Sequence, residues 1–498
     1  MDRAGLEPVT ATDGGWQAAA AAALDRRTAR GQRIVLIADN DARTLDIVLA
    51  ALRTGRIPVL LNPRLTTDDL DELTADADPS LVVTDGRPAP RTGPAAATTI
   101  EELTADTGGQ PPPLSPWPLA RPMHYTSGTT GRSKGVYSGV LTEQAGRFLC
   151  EEERELWGFA PTDVHLVCSS LSHSAPTRFA LNTLVYGGRV VVLPSFDTGQ
   201  FLELVEREGV TTTFVTPTHL ARLLDDPGFD ERDLSSLRLV AHAGAPCPPS
   251  VKRRVTDRLP EIVWEFYGST EGQFTALSPE EWEQRPWSVG RARPGRELRV
   301  VEEGRVVEPG EVATIWSTCP APARFSYWRD ADKTAATWRQ DIGGEPGPWF
   351  SVGDLGSMDE HGFLQLVGRR TDLIITGGVN VYPAQVERVL NACPGVAEGV
   401  VFGVPDPEWG QRVCAAVVAT ADTALDAEQV RRWLRERLAG FQTPKEIRIL
   451  GESLPRTATG KLLRRQLADR FAAHSPDAQA PAVQQPCDDR DPAGGSDR

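Results

Sequence analysis

The sequence predicts an α/β protein built on a mainly parallel sheet, followed by a β-rich lobe and a smaller α+β unit. Three observations carry this. Short apolar runs alternate with helical patterns between residues 33 and 266, the mark of repeated βαβ units. From about Val289 to Gly368 the segments become shorter, β-rich and punctuated by glycine, which suggests a small barrel or antiparallel lobe. After G-R-R-T-D at 368–372 comes a compact segment of about a hundred residues with strands and helices of its own.

The elements follow in order. Ala, Leu and Arg dominate from Gln17 to Arg30, which reads as a surface helix. R-I-V-L-I-A at 33–38 reads as a buried strand, Thr44 to Thr54 as a helix, and 57–61 and 81–84 as further strands. Residues 106–119 form a Pro-rich connector unsuited to regular structure. Strands resume at 164–168, 189–193, 211–215, 237–240 and 261–266. Ligands of such sheets bind beyond the carboxyl ends of the strands. Ser172-His173, Thr216-Pro217, Ala243-Gly244-Ala245-Pro246 and Tyr267-Gly268-Ser269-Thr270-Glu271 therefore stand where a site is expected. The tail from about Ser475, rich in Pro, Gln, Asp and Gly, is expected to be disordered.

Composition bounds the function. The chain has 498 residues and a net charge of −15, a balance that repels nucleic acid and anionic membrane. Anionic ligands must then be met by local Lys, Arg or Mg²⁺. Seven cysteines without a C-x-x-C pair argue against a zinc site or a disulfide framework. No apolar run reaches the roughly 18 residues of a membrane span, and the N-terminus lacks the features of a secretion signal. A soluble cytoplasmic protein is expected, with a homodimer left open.

The densest chemistry lies between Tyr125 and Val136, Y-T-S-G-T-T-G-R-S-K-G-V. Small residues let the backbone approach a ligand, hydroxyls and N–H groups donate to oxygens, and Arg132 and Lys134 supply positive charge. Such a loop suits a polyphosphate. It is not the common P-loop, because Ser133 rather than Gly precedes the lysine. A plain flexible turn is the alternative until the context is read.

Four further motifs supply that context: F-Y-G-S-T-E at 266–271, S-V-G-D-L-G at 351–356, G-R-R-T-D-L-I-I-T-G-G at 368–378 and L-P-R-T-A-T-G-K-L-L-R-R at 454–465. With the glycine-rich loop they appear in the order found in adenylate-forming enzymes, and the chain resembles that superfamily over residues 34–470. L-L-N-P-R-L at 60–65, T-P-T-H-L at 216–220 and P-E-W-G-Q at 407–411 look most like benzoate- and halobenzoate-CoA ligases.

The resemblance implies stacked sheets in an adenylation domain over 1–369, a mobile domain over 370–474 and a tail over 475–498. It also implies a two-step reaction: a carboxylate, here aromatic, attacks the α-phosphate of ATP, and the CoA thiol then displaces AMP. Thr126, Ser127, Gly128, Thr129, Thr130, Gly131 and Lys134 would cradle the phosphates. Glu271 would hold Mg²⁺ and Thr270 would donate to the α-phosphate. Tyr267 and the Gly244-Ala245-Pro246 turn would enclose adenine, Asp354 would accept from the ribose, and Arg369 would anchor the nucleotide. Lys461 would reach the bridging oxygen, and losing such a preorganised donor costs roughly 10²–10³ in rate. Rotation about Thr371 and Asp372 would exchange Lys461 for Gly377, Gly378 and Trp409, with Lys445 near the CoA phosphates. His173 would lie beside the acyl carboxylate, with Ser174, Ala175, His242, Ala243, Gln273 and Phe274 walling the pocket. A hydroxy- or amino-substituted aromatic acid would then pair with His242 or Gln273.

This sequence departs from the family's pattern in places. Ser170 replaces a usual proline before His173, Thr371 replaces an acid or Lys at the hinge, and the segment before the first strand is short. Gln442 and Thr443 stand where a cation often meets CoA, which favours a carrier-protein phosphopantetheine as an alternative acceptor. ATP-driven activation of nitrite toward an aryl amine is a further alternative. A non-enzymatic adenylate sensor fits least, because Lys461, Glu271 and Asp354 are all present.

Overall fold

The computed structural model describes residues 9–11, 15–91, 95–105, 110–126, 133–420, 423–456 and 462–473. Two compact units emerge, the chain passing from the first to the second between Thr371 and Asp372. The expected disordered tail lies outside the described residues.

In the first unit, β1 (Val9–Ala11), β2 (Arg33–Ile37), β3 (Ile57–Leu61), β4 (Leu81–Thr84) and β5 (Ala96–Thr99) open the chain. They are followed by β6 (His124–Thr126), β7 (Lys134–Tyr137), β8 (Val164–Val167), β9 (Arg189–Val192), β10 (Thr212–Val215), β11 (Leu239–His242) and β12 (Val263–Glu265). One sheet runs β3-β2-β4-β5, all parallel. A second runs β1-β9-β8-β10-β11-β12, parallel except for β1. Strands such as I-P-V-L-L bury every residue, as expected where helices cover both faces of a parallel sheet. The β-rich lobe is a seven-stranded antiparallel sheet formed between residues 298 and 369. The second unit carries five strands, including the long hairpin of Val396–Asp406 and Gly410–Ala419.

Two expectations shift. The first helix, Gly15–Arg27, is not a surface helix: Ala20 to Leu24 are each at most 3% exposed. Alanine leaves so little side chain that the helix packs closely into the core beside Leu45 and Leu49 of the helix Ala42–Arg53. The strand expected at 237–240 begins at Leu239, because Arg238 turns to the buried Asp163 at 2.6 Å. That shift of two residues makes His242 the last residue of β11.

Residues 110–119 form no helix or strand. The connector is nevertheless seated: Leu119 N–H donates to Leu52 O at 2.8 Å, and Pro118 lies against Gly146. A Cβ at Gly146 would stand 1.9 Å from Pro118 O. Gly146→Ala is therefore expected to destabilise this unit by about 1–3 kcal/mol, read as a lower urea midpoint with unchanged slope.

Histidines supply a second prediction. Burial pushes His124 and His219 down to about 4 and His165 to about 3. All three stay neutral in the folded chain where the unfolded chain would protonate them, from about pH 6.5 down to about 4. Stability is expected to fall as pH is lowered through that window, by up to about 1.4 kcal/mol per pH unit for each histidine. Urea midpoints measured against pH, with His165→Asn as the comparison, would check this.

Candidate active site

The parallel strands β8, β10, β11 and β12 end on one edge of the sheet, and the residues after them gather there. His173 begins the helix Ser174–Val185, and burial lowers its pKa. Thr216 caps the helix Pro217–Leu224 in a reciprocal pair with His219, so its hydroxyl serves that helix. Ala243 is buried, while Gly244, Ala245 and Pro246 turn outward, Gly244 with φ +92°.

The expected nucleotide site contains two buried carboxylates, Asp354 and Glu271, each held by a tyrosine. Tyr267 Oη donates to Asp354 Oδ2 at 2.6 Å, and Arg369 Nε donates to Asp354 Oδ1 at 2.9 Å. Burial raises the Asp354 pKa, with Arg369 and Tyr267 opposing. Tyr267, assigned to adenine stacking from the sequence, packs its ring on Phe274 with centroids 4.9 Å apart. Glu271 accepts from Tyr327 Oη at 2.6 Å. Thr270 is half-buried, and Ser269 Oγ nearby is buried with no partner. Tyr327 was missed: it lies in no motif, and 56 residues separate it from Glu271.

Thr126 and Lys134 face each other across the β6–β7 ladder, closing the neck of the glycine-rich loop. Lys134 Nζ pairs with Asp330 Oδ2 at 2.6 Å, a second unforeseen partner. Ser127, Gly128, Thr129, Thr130 and Gly131 lie outside the described residues, as does Lys461.

The expected acyl pocket divides by strand parity. Neighbouring residues of a strand point to opposite faces. Ala243 joins Phe179, Phe214, Phe266 and the half-buried Ala175 on one face. His242 stands in register with Glu265 on the other, fully buried, its Nε2 3.8 Å from the carboxylate that takes Lys252 at 2.5 Å. His242 thus lies on the face opposite Ala243, its ring nitrogens buried without a hydrogen-bond partner. Gln273, the other residue expected to meet a substrate substituent, is buried. Its Nε2 donates to Thr275 O at 3.0 Å and its Oε1 accepts from Arg293 at 3.4 Å, so its amide is already engaged. Phe274 packs into the β-rich lobe with Tyr267 and Phe350.

In the second unit, residues assigned to CoA come together. Gly377 N–H donates to Trp409 O at 2.9 Å, and a Cβ there would stand 2.8 Å from the Trp409 ring. Gly377 and Gly378 have φ of +55° and +78°, conformations that glycine adopts without strain. Lys445 Nζ lies 3.6 Å over the Trp409 ring. Gln442 spends its amide on Ala439 N–H and Gln385, and Thr443 is buried.

Residues 17–327 match the family model described as AMP-binding enzyme, and residues 385–461 match that of the AMP-binding enzyme C-terminal domain. The chain belongs to the AMP-binding enzyme family. As a member it is an AMP-forming acid–thiol ligase: ATP activates an acid as acyl-AMP, and the acyl group passes to CoA. It is 33% identical over 493 residues to a feruloyl-CoA synthase from Amycolatopsis, covering 94% of this chain and 97% of that one. It is 32% identical over 459 residues to an indoleacetate–CoA ligase from Aromatoleum aromaticum, covering 86% and 87%. Among solved structures, o-succinylbenzoate CoA synthetase from Bacillus subtilis, in complex with ATP and magnesium ion, is similar at 28% identity and a TM-score of 0.79. That match covers 91% of this chain and 92% of that one. Among the described residues, no helix is long and apolar enough to cross a membrane.

Tyr267→Phe deletes a hydrogen bond to a buried carboxylate, a loss worth about 1.5–3 kcal/mol. It is expected to raise the KM for ATP in pyrophosphate exchange, with the KM for the acid changed little.

Proposed function

We propose that this ligase activates an aromatic carboxylic acid and that the acid lies between His173 and Ala243. The observation that carries the assignment of the nucleotide end is the pair of buried carboxylates, Asp354 and Glu271, each fixed at 2.6 Å by a tyrosine hydroxyl. The aromatic cluster of Phe179, Phe214 and Phe266 beside Ala243 supports an aryl substrate, as do the aryl and indolyl acids named for the relatives.

The chemistry is one of positioning and charge neutralisation. One carboxylate oxygen of the acid attacks the α-phosphorus as the bond to pyrophosphate breaks. The CoA sulfur then attacks the acyl carbon, and AMP leaves with the bonding pair. Asp354 accepts from the ribose while Tyr267 and Arg369 keep its oxygens oriented. Lys134 at the loop neck meets the phosphates, with Asp330 holding the ammonium in place beforehand. Lys461 donates to the oxygen between acid and phosphate.

Glu271 would hold Mg²⁺. A single hard carboxylate suits this ion, which completes its shell with waters and substrate phosphates, and the unpartnered Ser269 Oγ adds a polar atom nearby. Mg²⁺ supplies neutralisation of phosphate charge. Tyr327→Phe, by releasing Glu271, is expected to weaken the apparent Mg²⁺ affinity of the exchange reaction about 10–100-fold.

The deciding experiment is ATP–pyrophosphate exchange over benzoates, cinnamates and medium-chain acids, with CoA then added and the thioester weighed. Exchange and thioester are expected with aromatic acids, and Lys461→Ala should cut exchange by roughly 10²–10³. Exchange confined to aliphatic acids would overturn the aromatic assignment. Gln442 is engaged and Thr443 is buried, so neither adds to Lys445 toward the CoA phosphates, which favours a carrier-protein thiol as the second reading. Exchange without any CoA thioester would select it.

A further inference from the structure

Beside the aromatic face of β11 lies a charged cluster that the adenylation chemistry does not use. Glu153, on the helix Glu143–Trp157, is buried and accepts from Arg293 Nη1 at 2.7 Å. Its neighbour Glu152 accepts from Arg296 Nη1 at 2.7 Å. Each carboxylate thus has its own guanidinium. Two more guanidinia occupy the same field. Arg121 donates to neutral oxygens, Ser138 Oγ at 3.1 Å and Ala323 O at 3.0 Å. Arg178 shares Glu153 in a looser ion pair: its Nε stands 3.5 Å from Oε2, and neither atom makes a hydrogen bond. Four guanidinia therefore face two carboxylates. An unmatched charge away from water is costly unless a counter-charge arrives.

The position of Arg178 says where that counter-charge would come from. It follows Ser174 by four residues and Ala175 by three on the helix Ser174–Val185, so all three share a face. Four residues of helix set it roughly 6 Å along the axis from Ser174, away from His173. Its guanidinium carbon lies 5.4 Å from the ring centroid of Phe266, which packs in the same cluster as Ala243. A quarter of the side chain remains accessible, yet burial lowers its pKa to about 10. The small side chains of Ala175 and Ala243 belong to that same cluster.

We propose that Arg178 binds a second carboxylate at the far end of the acyl pocket, so that the preferred acid is a dicarboxylate. The proposal rests on the placement of the acid between His173 and Ala243. The carboxylate beside His173 is activated, and the distal one accepts from Arg178 and compensates the excess positive charge. Arg178 is thereby the residue that sets substrate specificity.

The test compares benzene-1,4-dicarboxylate and benzene-1,3-dicarboxylate with their monomethyl esters in ATP–pyrophosphate exchange. The wild-type enzyme is expected to favour a diacid over its ester by about tenfold or more in kcat/KM. Arg178→Met should lower the diacid rate by about 10²-fold and change the ester rate by less than about threefold, with Arg178→Lys between them. Wild-type preference for the esters would overturn the proposal and needs no variant to fold. An equal loss on diacid and ester in Arg178→Met would also overturn it, as the signature of a purely structural arginine. If only aliphatic acids are exchanged, the aromatic assignment fails. An aliphatic diacid against its half-ester then decides the role of Arg178 separately, by the same preference.

Discussion

One buried carboxylate ties the β-rich lobe to the edge of the parallel sheet. Asp354 opens the strand Asp354–Met358, stands opposite Arg369 in the ladder, and takes the hydroxyl of Tyr267 from the loop after β12. A carboxylate without water requires both partners, so the loop cannot drift from the lobe without leaving an acceptor unmet. Four residues on, Glu271 repeats the arrangement with Tyr327. Tyr327 sits in a short strand paired with β7, which begins at Lys134, and Asp330 just beyond takes the Lys134 ammonium. Asp354, Glu271 and the neck of the glycine-rich loop, proposed for ribose, Mg²⁺ and phosphate, are therefore linked through the loop after β12 and the strand that carries Tyr327. Substrate binding meets groups whose orientation is already fixed, which is how such sites avoid reorganisation during the reaction.

The sequence made the frame legible because the frame is periodic. Apolar runs of four or five residues at βαβ spacing, such as R-I-V-L-I and I-P-V-L-L, stand where strands were expected. The loops after β11 and β12 could be placed from that spacing. Partners were illegible, since Tyr327, Asp330 and Arg293 reach their carboxylates or lysine across 56, 196 and 140 residues and follow no local pattern. Side-chain direction was the other gap. A two-residue error in where β11 begins changes nothing in its hydrophobic content. Which face of the sheet His242 and Ala243 take, however, depends on parity alone. The first helix shows the same blindness: an alanine run has helix propensity without an obvious buried face, and only packing decides that it lies inside.

The two faces of β11 handle charge in opposite ways, and the contrast bears on function. On the His242 face, Lys252 and Glu265 meet one to one at 2.5 Å, and His242, its pKa pushed far down by burial, adds no charge. Lys252 is 1% exposed, so this pair is closed to ligands. A balanced, sealed ion pair contributes little net stability but costs about 3–5 kcal/mol when one partner is removed. Such a pair is structural. On the Ala243 face the arginines outnumber the carboxylates, and Arg178 keeps a quarter of its side chain accessible. Replacing Arg178 by an apolar residue would remove a desolvation cost and no hydrogen bond, and Glu153 would keep Arg293 after losing its looser ion pair with Arg178. An excess charge retained beside a substrate pocket makes sense when the missing partner arrives with the substrate. The buried pair and the open arginine are thus read differently although both are desolvated, and what separates them is whether each charge has a counter-charge of its own in the chain.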